Sequence, residues 1–259
     1  MSEDATPLDR AHAAMAASPD DDAARLAWFA ELADAELFLW LEAEPQGSTF
    51  APRVFDLADG RLVQAFDRED RLSGAAGGVV PYAALPGRVI AQALAGQGVA
   101  LGVNFGVASS AFLVPPAALS WLSDLLARTP VAAEARPLAF HEAGALAAAF
   151  LAALEVRLAP ARGLAAVALL AGVDYADGRR GHLLAFIGAD PAAEPPLARA
   201  ASEALTFSGI EAGEIDVAFL AADHPAVPAL LRVGRAFAMA ADPATIPAPP
   251  RPDAPPRLR

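Results

Sequence analysis

Few stretches of this chain put residue types that do chemistry at spacings that would let them act together. His141-Glu142 resembles the opening of the HExxH helix, where two histidines one turn apart hold zinc and the glutamate serves as base, but position 145 is alanine and the second ligand is missing. His12, His182 and His224 are likewise single histidines without HxH or HxxxH spacing, so no metal site is expected. Ser109-Ser110 and Asp223-His224 supply the types of a nucleophile and its base. Neither serine has a nucleophile-elbow pattern, and the two pairs fall in different expected domains, so all four are read as loop residues.

The glycine-rich run SGAAGG at 73–78 invites a phosphate-loop reading, yet it fails the spacing of a dinucleotide fingerprint and precedes a strand instead of a helix N-terminus. It is read as a flexible loop. Asp67, Glu69 and Asp70 alternate with Arg68 and Arg71 at spacings that suit ion pairs along the solvated face of a short helix. What remains is Tyr82, Arg88 and Asn104, polar groups at strand ends or on the adjoining helix of an otherwise apolar domain. These three are the candidate ligand-binding residues. The competing reading gives Asn104 to the backbone of the turn before Gly106. No catalytic residue is assigned.

Composition narrows the partners. A formal net charge of −12 argues against nucleic acid, whose phosphates need clustered arginine and lysine. The chain has no lysine, which removes the P-loop lysine, Schiff-base chemistry and the Ser-Lys nucleophile together. It has no cysteine, so there is no disulfide frame and no thiolate. The first ten residues are acidic and polar where a signal peptide would be basic and then apolar, and the apolar run at 143–154 is well short of the ~20 residues of a bilayer span. A cytoplasmic protein is expected, with no membrane partner and no cofactor.

Hydropathy patterning supplies the elements that must position these groups. Thr6-Pro7 and Ser18-Pro19 each read as an N-cap followed by proline at the first helical position, the second opening a helix to about residue 35 with Asp20, Asp21 and Asp22 in its first turn. Strands are expected over 36–42, 53–57 and 62–66, the last two joined by the hairpin signal Asp59-Gly60. A short helix over 67–72, a helix over 83–95, strands over 99–104 and 111–114, and a helix opened by Pro115-Pro116 complete the first half. In the second half the pattern predicts a helix over 142–158, a hairpin of 164–173 with 182–187 around Asp177-Gly178, a helix from Pro195-Pro196, a strand over 215–220 and a short helix over 225–233. The fold class expected is α/β (α+β), two small domains, each a mixed sheet with helices packed on it. The domains are placed at 1–128 and 141–240, with a linker at 129–140 and a proline-rich, disordered tail at 241–259.

The runs LVQAFDREDRL, VVPYAALPGRVIAQALAGQGVALGVNFG and AFLVPPAALSWL resemble the N-terminal domain of the SseB family, the bacterial proteins named for enhanced serine sensitivity. LAALEVRLAPARGLAAVALLAG, GHLLAFIGAD and IDVAFLAAD are similar to that family's C-terminal domain. Phe105 stands where many relatives carry proline, and Arg235-Ala236-Phe237 near a common Pro-Phe-Tyr ending. The resemblance implies no established enzyme activity and no catalytic residues. It points to a binding or regulatory module linked to serine and amino-acid metabolism, contacting a protein partner, a second copy of itself or a small metabolite. The alternative is an enzyme acting on a small metabolite through a pocket near Arg88 and Asn104.

Overall fold

The computed structural model describes residues 5–45, 50–58, 60–127, 137–144, 146, 148–208 and 215–239. The chain divides into two compact units, with the main boundary at Thr129.

The first unit opens with helix α1 (Pro7–Ala17), where Thr6 accepts from the Asp9 N–H and the Asp9 carboxylate accepts from the Thr6 N–H, a reciprocal capping box. Helix α2 (Asp22–Asp34) starts three residues later than the proline signal suggested, because Ser18 is the C-cap of α1 and Asp21 caps α2 by accepting from Ala23 N–H. Pro19 therefore closes one helix and does not open the next. Strands β1 (Glu36–Trp40), β2 (Val54–Leu57) and β3 (Gly60–Phe66) follow, with β2 and β3 forming the expected antiparallel hairpin. Next come α3 (Glu69–Ala76), β4 (Tyr82–Pro86), α4 (Gly87–Leu94), β5 (Val99–Val103), β6 (Phe112–Val114) and α5 (Pro116–Ala127). The strand order is β4-β1-β3-β5-β6 with β2 also on β3, and only the β3–β5 pair is parallel.

Two expectations fail here for local reasons. The glycine-rich run is mostly helical: α3 runs to Ala76 and stops at Gly77, which takes the left-handed conformation of a helix C-cap. Residues 83–86, expected in a helix, lie in edge strand β4, where a proline removes no ladder bond that is needed. The helix begins at Gly87, whose N–H donates to Ala35 O and whose Cα lies so close to Leu32 that a Cβ would sit 1.8 Å from that residue's carbonyl oxygen.

Alternation sorts this sheet into two faces. The inner face, with Leu37, Leu39, Val63 and Leu101, packs against Trp28 and Leu32 of α2, Ile90 and Leu94 of α4, and Leu119 of α5. The outer face carries Phe38, Trp40, Phe66 and Tyr82, covered by Leu72 of the short α3.

The second unit is β7 (Pro137–His141), α6 (Ala148–Leu158), β8 (Val167–Tyr175), β9 (Arg180–Ile187), α7 (Glu194–Phe207), β10 (Ile215–Leu220), α8 (Val227–Val233) and β11 (Arg235–Ala238). Residues 137–140, read from sequence as the end of a linker, are strand paired with β8. The helix expected from residue 142 starts at Ala148, and β11 was not foreseen. The rest of the linker and the tail lie outside the described residues. The order is β10-β9-β8-β11, with β7 also on β8.

Both sheets thus share one spatial strand order. An antiparallel pair (β1 with β3, β8 with β9) carries a parallel strand beside its second member (β5, β10) and an antiparallel strand on the free side of its first (β4, β11), although β4 precedes the parallel strand in the chain and β11 follows it. The expected fold class, two mixed sheets with helices packed on them, is what the structure contains.

Candidate functional site

Asn104 directly follows β5 at the sheet rim, and its backbone turns left-handed there at φ 55, a conformation asparagine tolerates better than most side chains. Its amide is wholly buried: Oδ1 accepts from the Asp67 N–H at 3.1 Å and Nδ2 donates to Ser110 Oγ at 3.3 Å. The Ser110 hydroxyl passes the chain on by donating to Asp9. Asp9 also accepts a two-pronged contact from Arg71, 2.8 Å from Nη1 and 2.6 Å from Nη2, and Arg71 Nη1 donates to Asp67 at 2.8 Å. The Thr6 hydroxyl donates to the other oxygen of Asp67. Residues from α1 and its cap, the β3–α3 junction, α3 and the β5–β6 loop are thereby tied into one largely buried hub.

The electrostatics follow from that geometry. Burial pushes the Asp9 carboxyl up, and hydrogen bonds from Arg71, Ser110 and the Thr6 N–H outweigh it, holding the group well below the usual carboxylate range. Arg71 is raised in turn, first by its bond to Asp9. Every polar side chain of the hub has a protein partner, as buried polar groups require. The sequence showed Thr6 as an N-cap and the Asp67–Arg71 spacing, but it placed the second on a solvated face. That description fits Arg68 and Asp70, whose 2.7 Å pair is at the surface, whereas the Asp67 side chain is only 4% exposed.

The other two candidates lie elsewhere. Arg88, on the first turn of α4, forms a half-exposed ion pair with Asp34 at the end of α2, and both helices pack on the inner face of the sheet. Tyr82 lies on the outer face, edge to face with Phe38 at 5.4 Å between centroids. The Glu69 carboxylate, with partial burial and the more distant Glu36 and Glu44, pushes the Tyr82 phenol up. Tyr82, Arg88 and Asn104 therefore belong to three surroundings: an outer aromatic face, an inner-side helix end and a buried rim. Phe105 lays its ring against Gly102, so close that a Cβ there would be 2.9 Å from Phe105 Cδ2.

Beside the hub, Thr6, Pro7, Leu8, Glu31, Asp34, Ala35, Glu36 and Asp67 line an open cleft of about 330 Å³. Asp34 faces Arg88 and Asp67 faces Arg71, and among the described residues no cation is paired with Glu31 or Glu36. The cleft's polar side chains are thus a hydroxyl and four carboxylates, the lining that suits an ammonium or guanidinium group.

In the second unit the histidines make local contacts. His141 Nε2 is 3.6 Å from Asp174, His182 Nε2 is 2.9 Å from Ala143 O, and His224 Nδ1 accepts from the Ala226 N–H at 3.2 Å. Among the described residues no three His, Asp or Glu side chains converge as a metal centre requires. Burial and the neighbouring Asp216 push the Tyr175 phenol up. No described helix is long and apolar enough to cross a membrane.

No curated protein and no solved structure matches the chain. Residues 8–121, which run from α1 into α5 and hold most of the hub, match the family model described as SseB protein N-terminal domain. The part of the chain that builds this hub, cleft and aromatic face is thus similar to the N-terminal domain of the SseB family.

Proposed function

We propose that this is a cytoplasmic, non-catalytic interaction module of regulatory role, linked to serine and amino-acid metabolism, whose working surface is the outer face of the first sheet. The observation that carries this reading is the short cover on that face: Leu72 of α3 covers Trp40 and Phe66, while Phe38, Phe55 and Tyr82 stay half exposed, with Leu57 54% and Val79 fully exposed beside them. Adjoining exposed apolar side chains of this kind mark contact surfaces. The second unit is, in this proposal, the C-terminal domain of the SseB family, a reading supported by the spatial strand order it shares with the first. An enzyme using Arg88 and Asn104 would need both in one pocket, and the Asn104 amide is closed inside the hub.

The test is site-directed photo-cross-linking from positions 57 and 79 of the full chain, alongside sedimentation. A partner or second copy cross-linked from these positions, and lost when Leu57 and Val79 are changed to serine, is the expected result. A monomer that cross-links no better from 57 and 79 than from Asp20 removes the reading.

The cleft supports a second reading, a small metabolite carrying an ammonium group, because its lining holds Glu31 and Glu36, with which no cation is paired among the described residues. A thermal-shift series with amino acids including serine tests it. A ligand that binds the native state raises the melting temperature, and a flat series removes the reading.

A further inference from the structure

The outer face has two halves built alike but completed differently. In one, Trp40 and Phe55 meet edge to face with centroids 5.3 Å apart, and the Arg53 guanidinium lies 5.0 Å from the first ring and 5.2 Å from the second. That is a cation held on two rings, within the ~6 Å reach of the ring quadrupole. In the other half Phe38 and Tyr82 meet in the same edge-to-face way, and among the described residues no cation stands over either ring. Glu36 projects from the same face of β1 as Phe38, two residues away, and Glu69 stands beside Tyr82. Both glutamates are exposed.

We infer that the Phe38–Tyr82 half of the face receives an arginine or lysine side chain from a basic segment of a partner protein, in the manner Arg53 shows on the other half. Two aromatic rings flanked by carboxylates attract a cation on both counts, by quadrupole and by charge. Leu57 and Val79 offer apolar surface beyond the reach of one bound cation, which favours a peptide segment over a small ion. The chain's net charge of −12 steers a basic partner toward it. This rests on the interaction-module reading and adds the chemistry of the partner.

The test titrates the full chain into a labelled short peptide alternating glycine and arginine, followed by fluorescence anisotropy, with a glycine–glutamate peptide as control. Saturable binding of the arginine peptide alone is expected, weakened about tenfold in the double variant Glu36→Gln/Glu69→Gln and in Tyr82→Leu. Glu31→Gln, in the cleft, should leave it unchanged. Arg53→Gln frees the second ring pair and should tighten binding about twofold or more, whereas Arg25→Gln, which removes the same charge away from the rings, should not. Absence of saturable binding, equal loss in Glu31→Gln and in the double variant, or an unaffected folded Tyr82→Leu overturns the inference. Should Tyr82→Leu fail to fold, the double variant at exposed positions decides. Self-association abolished by the same substitutions would put a second copy on the face and also overturn it. Cross-linking from positions 57 and 79 without peptide binding would leave the interaction module standing and remove only the basic partner.

Discussion

Arg71→Met is the sharpest probe of the hub. The guanidinium makes three charge-assisted hydrogen bonds, two to Asp9 and one to Asp67, and both it and Asp9 are only 16% exposed. Methionine fills most of the volume but leaves two carboxylates facing each other without their cation. Breaking a buried pair from one side costs about 3–5 kcal/mol, and the residual exposure places this case near the lower end, about 3 kcal/mol. With a urea slope of about 2 kcal/mol/M, the midpoint should fall by about 1.5 M. All three tryptophans, Trp28, Trp40 and Trp121, lie in the first unit, so their fluorescence follows its unfolding apart from the second. The pH dependence carries a second signature. Asp9 ionises lower in the folded than in the unfolded state, so its contribution is fully present above the unfolded pKa of roughly 4 and is lost as the pH falls below it. In the variant Asp9 loses its strongest opposing bonds and its pKa rises, so protonation relieves the uncompensated charge. The gap between the two proteins should be widest near pH 7 and narrow toward roughly pH 4. A variant within about 0.5 kcal/mol of the parent, or a gap that ignores pH, refutes the argument.

Asn104→Ala removes two buried side-chain hydrogen bonds and forces alanine into a left-handed backbone, which should cost about 3 kcal/mol; Asn104→Gly loses the same bonds without the strain and should recover about 1 kcal/mol in the same urea assay. Gly87→Ala drives a methyl into the Leu32 carbonyl oxygen and should lower stability by about 3 kcal/mol or more, where an unchanged midpoint would contradict the packing of α4 on α2. In an ultraviolet titration both phenols, Tyr82 and Tyr175, should ionise above the ordinary value of 10.0, and Glu69→Gln should bring Tyr82 alone back down.

Local chemistry was legible and long-range chemistry was not. The hairpins of β2 with β3 and β8 with β9, the strand β10 and the proline-opened helices α5 and α7 follow from turn residues and periodicity that act within a few positions. The strand at β4 was hidden because Leu85, Val89 and Ala93 satisfy a helical period although Leu85 belongs to the strand and Val89 to the helix after it. Arg71 looked like a surface residue because its nearest acids in sequence are on its own helix. What buries it is Asp9, 62 positions away, and no pattern within a short window reports such a partner. Ser110 was set aside for want of a catalytic motif, and its neighbours through space are Asn104 and Asp9.

The hub also orders events during synthesis. Asp9 leaves the ribosome 62 residues before Arg71 and 101 before Ser110. At translation rates of about 5–20 residues per second, the first helix waits about 5–20 s for its last bonding partner. Until then Leu8 has no finished core to enter and the Asp9 carboxylate stays hydrated. Helix α1 is thus locked only after the elements through β5 have been made. A nascent chain stalled before residue 110 should leave that helix open to proteases and chaperones, and one stalled well beyond it should not.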